Sequence, residues 1–153
     1  MAIPALYRKR PLLDRGARLL WRDPATALML LRMASWVAVI SVGAKTLPLR
    51  RAVRLLDAQP KVAAFPGPES SEKVVRLLDS LLNINVLFLS PTCWKRAPVL
   101  RRFLALEGIT TQIVFGVRRK GDQLTGHAWL EADGQPVYEQ SPPEYKITFR
   151  YPD

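Results

Sequence analysis

The chain holds one cysteine, Cys93, one histidine, His127, and a carboxylate, Glu139, at hairpin distance beyond the histidine. A thiol that opens a helix, an imidazole on a later strand and an acid on the neighbouring strand are the parts of a thiol-nucleophile site. The three converge in space although they are dispersed in sequence. In such a site the imidazole takes the thiol proton, the thiolate attacks a carbonyl, and the acid fixes the imidazole tautomer. A thiol in the first turn of a helix meets unpaired backbone N–H groups and the positive end of the helix dipole, and both favour the thiolate. Taken singly, a lone cysteine is more often an inert buried residue and a lone histidine a structural one. It is their occurrence together that points to an enzyme.

The surrounding residues must place these three. Ser90-Pro91 leads into the nucleophile helix, whose core face is Leu100, Phe103, Leu104 and Leu106, with Arg96, Arg101 and Arg102 expected to face solvent or a partner. Pro98 conflicts with a helix that starts at the thiol, because it lacks an N–H and clashes with the carbonyl of Trp94, at about 3 kcal/mol. Either the helix starts close to Ala97 with Cys93 on the turn leading in, or it is kinked one turn past the thiol. Gly108 is the expected stop. Thr110 to Val117 reads as a strand, Arg118 to Gln123 as a polar turn, and Leu124 to Glu131 as the strand that carries His127.

Two hairpin registers follow from Asp133-Gly134. A two-residue turn puts Ala132 opposite Gln135 and Ala128 opposite Glu139, so that Glu139 points away from His127. A three-residue loop, Ala132-Asp133-Gly134 with a G1-type bulge, puts His127 opposite Glu139 on one face. Function prefers the second. Asp133, Glu131 and Gln140 are weaker substitutes for Glu139 as the orienting acid. Lys146 to Phe149 supplies a last strand, which closes an antiparallel sheet against the nucleophile helix. The fold class is therefore α+β, papain-like in the broad sense, with extra helices in front. Trp94 and Trp129 are read as core residues rather than walls of a substrate groove.

Upstream, Leu12 to Trp21 is a short amphipathic helix candidate. Asp23 at N-cap and Pro24 at N1 start a longer helix that should run to about Gly43. Its only charge up to Ala44 is Arg32. A spanning helix needs about 20 mostly apolar residues and shorter runs more often mark a buried helix. A mid-span Arg opposes insertion by roughly 2.5–3.5 kcal/mol. A buried or docked helix is expected, with membrane association left open and spanning disfavoured. Leu49 to Ala58 reads as an amphipathic helix with Arg50, Arg51 and Arg54 on one face. Phe65-Pro66-Gly67-Pro68 is the clear break, and divides an N-terminal helical layer, 1–65, from a catalytic region, 66–153, within one compact unit. Ser70 or Ser71 is then expected to cap a helix with the apolar face Val74, Leu77, Leu78 and Leu81, followed by a short buried segment, Val86 to Leu89.

The 153 residues fit one domain with a core of ordinary size. A single cysteine excludes an intrachain disulfide, and the chain reads as cytoplasmic, with no secretory signal in its first residues. No metal-ligand cluster is evident. The formal charge of +10, mostly Arg, suits an acidic partner without naming it.

Cys93-Trp94-Lys95-Arg96-Ala97, the helix ending at Glu107-Gly108-Ile109, the strand Ile113 to Arg119, and Gly126-His127-Ala128-Trp129-Leu130-Glu131 with Asp133-Gly134 resemble the transglutaminase-like cysteine peptidases of lasso-peptide maturation. The resemblance covers roughly residues 70 to 150 and fits the separate peptidase half of the B protein. It implies a transglutaminase-like fold, a catalytic set of Cys93, His127 and Glu139, and removal of the leader from a ribosomally made precursor peptide. It also implies a small leader-recognition protein as partner, with the lasso cyclase as a further one, and dependence on ATP. The third member is commonly Asp in those peptidases, so Glu139 is a departure. No complete G-x-x-x-x-G-K-[ST] loop is present, and Gly43-Ala44-Lys45-Thr46 is only a fragment of one, so no cofactor site is identified by motif.

The Cys93 backbone N–H is the first oxyanion donor expected, with Asn85 and Ser90 as candidates for the second. Once the helical layer and catalytic region are counted, no residues are left for a leader-binding domain, so recognition is expected from the partner. Arg50, Arg51 and Arg54 beside Ala34 to Val42 are the expected docking surface. A transglutaminase-like acyltransferase or amidase would use the same three residues. A non-enzymatic basic binding module would leave Cys93 dispensable, but no nucleic-acid motif supports it.

Overall fold

Asp23 caps the start of a helix: its Oδ1 accepts from the Thr26 backbone N–H at 3.0 Å, and Pro24 takes the first helical position, where no N–H is needed. The computed structural model describes residues 23–57, 68–84, 92–139 and 144–152. The expected helix at Leu12 to Trp21, the Phe65-Pro66-Gly67 break, the segment Val86 to Leu89 and the residues Asn85, Ser90 and Gln140 lie outside them.

Helix α1, Pro24–Thr46, continues one turn beyond the expected stop at Gly43. Gly43 is no terminator here. It faces α2, Leu49–Arg54, where an added Cβ would meet Leu55 Cδ1 at 3.4 Å and Ala52 Cβ at 3.7 Å. Among the described residues α1 is the one helix long and apolar enough to cross a membrane. Met33, Val37 and Ile40 on one of its sides are nevertheless fully buried in the protein core, while Leu28, Leu31, Val39 and Val42 are exposed.

Helix α3, Pro68–Leu82, begins before Ser70 and Ser71, so neither serine is its cap. Ser71 is buried within the helix, and Ser70 Oγ donates to Glu107 Oε2 at 2.6 Å. Helix α4, Cys93–Leu106, starts at the thiol itself, with Thr92 at N-cap, and remains helical through Pro98. Of the two alternatives that Pro98 leaves open, a helix start near Ala97 is therefore excluded. Pro98 is buried, and burial of the whole segment Ala97 to Leu100 offsets the hydrogen bond that its ring removes.

Leu100, Phe103 and Leu104 of α4 meet Met33, Val37 and Ile40 of α1, Val53 of α2, Val74 and Leu78 of α3, and Ile113, Ala128 and Leu130 of the sheet in one core. The sheet is antiparallel, in the order β3-β2-β1-β4, with β1 Gln112–Lys120, β2 Gln123–Ala132, β3 Gln135–Val137 and β4 Lys146–Tyr151. The first turn is tighter than the polar run suggests. Lys120 pairs with Gln123 across Gly121-Asp122, with Gly121 at φ 61°, which places glycine at the first central position of a two-residue hairpin. Helices packed on an antiparallel sheet give the expected α+β class.

Candidate active site

Cys93 occupies the first position of α4, where its own N–H and that of Trp94 precede any carbonyl they could bond within the helix. The N–H groups of Lys95 and Arg96 both go to the Thr92 carbonyl, at 3.0 Å each. His127 stands on β2 opposite Gly116 of β1. Trp129 stacks near it at 5.9 Å between ring centroids, and Tyr145 lies at 5.2 Å. Gly116 is what lets those rings approach, since a Cβ there would lie 2.7 Å from Tyr145 Cβ and 2.9 Å from Trp129 Cη2. Cys93 and His127 line one cavity of about 520 Å³, together with Glu139, Arg96, Asp79 and Tyr138.

The second hairpin takes the register that function did not prefer. Ala132 pairs with Gln135, Glu131 with Pro136 and Leu130 with Val137, across a two-residue turn with Asp133 at φ 50° and Gly134 at φ 75°. Both central residues are left-handed, as the Asp-Gly turn of this type requires. Continued alternation would set Glu139 on the face of Ala128, away from His127. Tyr138 breaks the alternation: β3 ends at Val137, and Tyr138 adopts φ 59°. One left-handed residue re-aims the next side chain, and Glu139 Oε2 comes to 3.3 Å from His127 Nε2. The expected pairing of His127 with Glu139 is thus present, but by a backbone kink instead of a three-residue loop. With Nε2 committed to Glu139, Nδ1 is the nitrogen left to exchange a proton with a thiol.

Arg96 was expected at the surface, and it is not there. Its Nε donates to Asp79 Oδ1 at 2.6 Å and one terminal nitrogen donates to Asp79 Oδ2 at 3.2 Å and to the Tyr138 carbonyl at 3.1 Å. The other terminal nitrogen reaches Glu139 Oε1 at 3.3 Å. Burial disfavours the charge of Arg96, but the hydrogen bond and charge of Asp79 and the charge of Glu139 outweigh it and hold the guanidinium above its ordinary value. Helical spacing carried the signal, since a residue three beyond Cys93 shares its face. Nothing in the sequence singled out Asp79.

Arg101 and Arg102 are also engaged in the structure. Arg101 donates to the Thr111 carbonyl at 3.0 Å and to Asp57 at 2.6 Å, and Arg102 lies over Trp36 at 3.8 Å while donating to the Leu56 and Asp57 carbonyls.

The substitute acids fall away from His127. Glu131 is buried, accepts from Trp129 Nε1 at 3.0 Å and pairs with Arg150, and Asp133 is an exposed turn residue. Trp129 is a core residue, 2% exposed, and Trp94 packs partly buried against the same core.

A nucleophile-helix N-terminus over an antiparallel sheet, with an imidazole–carboxylate pair beside it, is the arrangement of a thiol acyl-transfer fold. The model of the transglutaminase-like superfamily matches residues 34–150, and the chain belongs to that superfamily. No match was found among curated proteins or among solved structures.

Proposed function

We propose that this chain is a cysteine peptidase that removes the leader from a lasso-peptide precursor and works with a separate leader-recognition protein. The observation that carries the reading is the single cavity that holds Cys93, at the start of α4, and the His127–Glu139 pair. His127 Nδ1 takes the thiol proton and Cys93 Sγ attacks the scissile carbonyl carbon. The oxyanion that forms is met by the Cys93 backbone N–H. Collapse of the adduct breaks the C–N bond, and the imidazolium returns its proton to the departing amine of the core peptide. Water then attacks the thioester, giving the leader carboxylate and the free thiol. Glu139 holds the imidazole so that Nδ1 faces the thiol throughout.

ATP is not assigned to this cavity. Its carboxylates Asp79 and Glu139 oppose a triphosphate, and its guanidinium, Arg96, is already held by both. We assign nucleotide use to another component of the cytoplasmic system.

The docking surface for the recognition protein is drawn from α1 and α2, on which Leu31 and Val42, and Arg51 and Arg54, are exposed. Arg50 is less available than its helix position suggests, because its guanidinium lies over Phe149 at 5.0 Å.

The test is precursor mass after incubation with this chain, with and without the recognition protein. Leader removal that needs both proteins, is abolished in Cys93→Ala and is weakened in Arg51→Glu with Arg54→Glu supports the proposal. Incorporation of a labelled amine in place of hydrolysis would instead assign acyl transfer.

A further inference from the structure

The Tyr138 kink sets up a physical problem. A non-glycine residue in the left-handed region lies roughly 1–2 kcal/mol above its right-handed alternatives, and it persists only where neighbours over-determine it. Relaxed to an extended conformation, Tyr138 would return Glu139 to the Ala128 face and leave His127 without its carboxylate. One side chain holds both the kink and the acid. Arg96 donates to the Tyr138 carbonyl at 3.1 Å and to Glu139 Oε1 at 3.3 Å, which leaves Oε2 for His127. Asp79 fixes Arg96 in turn by a two-pronged contact, at 2.6 and 3.2 Å. The Arg96 and Glu139 side chains are largely buried, at 22% and 17% exposure, so the bond between them is little diluted by water.

We propose that Arg96, oriented by Asp79, is the positioning residue of this site: its planar fork holds Tyr138 left-handed and turns Glu139 onto His127. The inference rests on the reading of Glu139 as the orienting acid. It explains why a guanidinium stands here. A planar group with donors along both edges serves Asp79, a carbonyl and a second carboxylate together, whereas a lysine ammonium, a point charge on a flexible stem, does not. It also assigns α3, through Asp79, a part in the geometry of a site that otherwise lies on α4 and the second hairpin.

His127 is the only histidine in the chain, so its imidazole nitrogen resonances stand alone in an NMR spectrum. The test reads the ring tautomer from those resonances at alkaline pH in a Cys93→Ala background, which removes coupling to the thiol. A carboxylate on Nε2 holds the proton there and leaves Nδ1 bare, and loss of the contact lets the two tautomers mix. If Arg96 acted only through its charge, Arg96→Lys would keep the single tautomer. Positioning predicts that Arg96→Lys and Arg96→Met both move toward the mixture of Glu139→Ala, and that adding Tyr138→Gly to Arg96→Lys restores the single tautomer, because glycine takes the left-handed conformation without a clamp.

With Cys93 restored, cleavage by Arg96→Lys should fall roughly tenfold to a hundredfold. Arg96→Lys keeping its parent's tautomer while Glu139→Ala mixes would overturn the role of Arg96 alone. An unchanged tautomer in Glu139→Ala would remove the orienting acid itself, and the role of Arg96 with it.

Discussion

Glu139 Oε2 lies 3.3 Å from His127 Nε2 although the ladder that joins their strands is in the register that should keep them on opposite faces. The contact depends on Tyr138 at φ 59°. A strand end that leaves the ladder at one residue can re-aim a side chain as a bulge does. The acid of this site is thus delivered by a break in the sheet instead of by its alternation.

Substitutions at Tyr138 should separate this backbone role from any side-chain role. Tyr138→Gly keeps the left-handed conformation accessible and should retain most of the proposed leader removal. Tyr138→Pro fixes φ near −65° and should impair removal as much as Glu139→Gln does. Precursor mass against time, with circular dichroism to check the fold, measures both; equal activity in the two variants would show that the kink is immaterial.

How much of this was legible depends on the range of the interaction. The Asp23-Pro24 start and the position of the Asp-Gly turn are local signals, and each is found where its residues point, whereas the helix start at Cys93 is one of two readings that Pro98 leaves open. The pairing of His127 with Glu139 was legible as chemistry, but its register was not: alternation supplied the wrong rule one residue beyond Val137, where a tertiary contact from Arg96 overrides it. Arg96 itself sat at i+3 from Cys93, yet a charged residue on a basic chain reads as solvated until its partners, Asp79 on one helix and Glu139 on a distant hairpin, are placed. The helix through Pro98 is another tertiary override, since burial of its neighbours offsets a local penalty.

Gly116→Ala tests the packing beneath the imidazole. The added methyl would lie well inside contact distance of Tyr145 and Trp129, both in the aromatic cluster around His127. Overpacking of this kind destabilises by about 1–3 kcal/mol. Chemical denaturation should show that loss, with a fall in activity as the cluster shifts. An unchanged midpoint would mean that Tyr145 moves aside at little cost.

The cap of α1 should give acid-sensitive stability. The hydrogen bond from the Thr26 hydroxyl, then that from its backbone N–H, holds the Asp23 carboxyl below its ordinary value. A carboxyl depressed in the folded state contributes stability that is present above its unfolded value and is lost as pH falls through the folded one. Asp23→Ala should therefore melt below the wild type near neutral pH, and the gap should close under acid below the ordinary carboxylate range. A gap that stays constant to low pH would contradict the charged cap.

In the proposed mechanism Cys93 and His127 act as one unit. The most direct measurement is the rate of Cys93 alkylation by iodoacetamide at about pH 6, where an ordinary thiol is almost wholly protonated. The wild type should react at least about tenfold faster than His127→Ala, with Glu139→Gln between them, in proteins that melt alike. Equal rates in the wild type and His127→Ala would contradict it, because the cysteine would then be an ordinary thiol beside an unrelated imidazole.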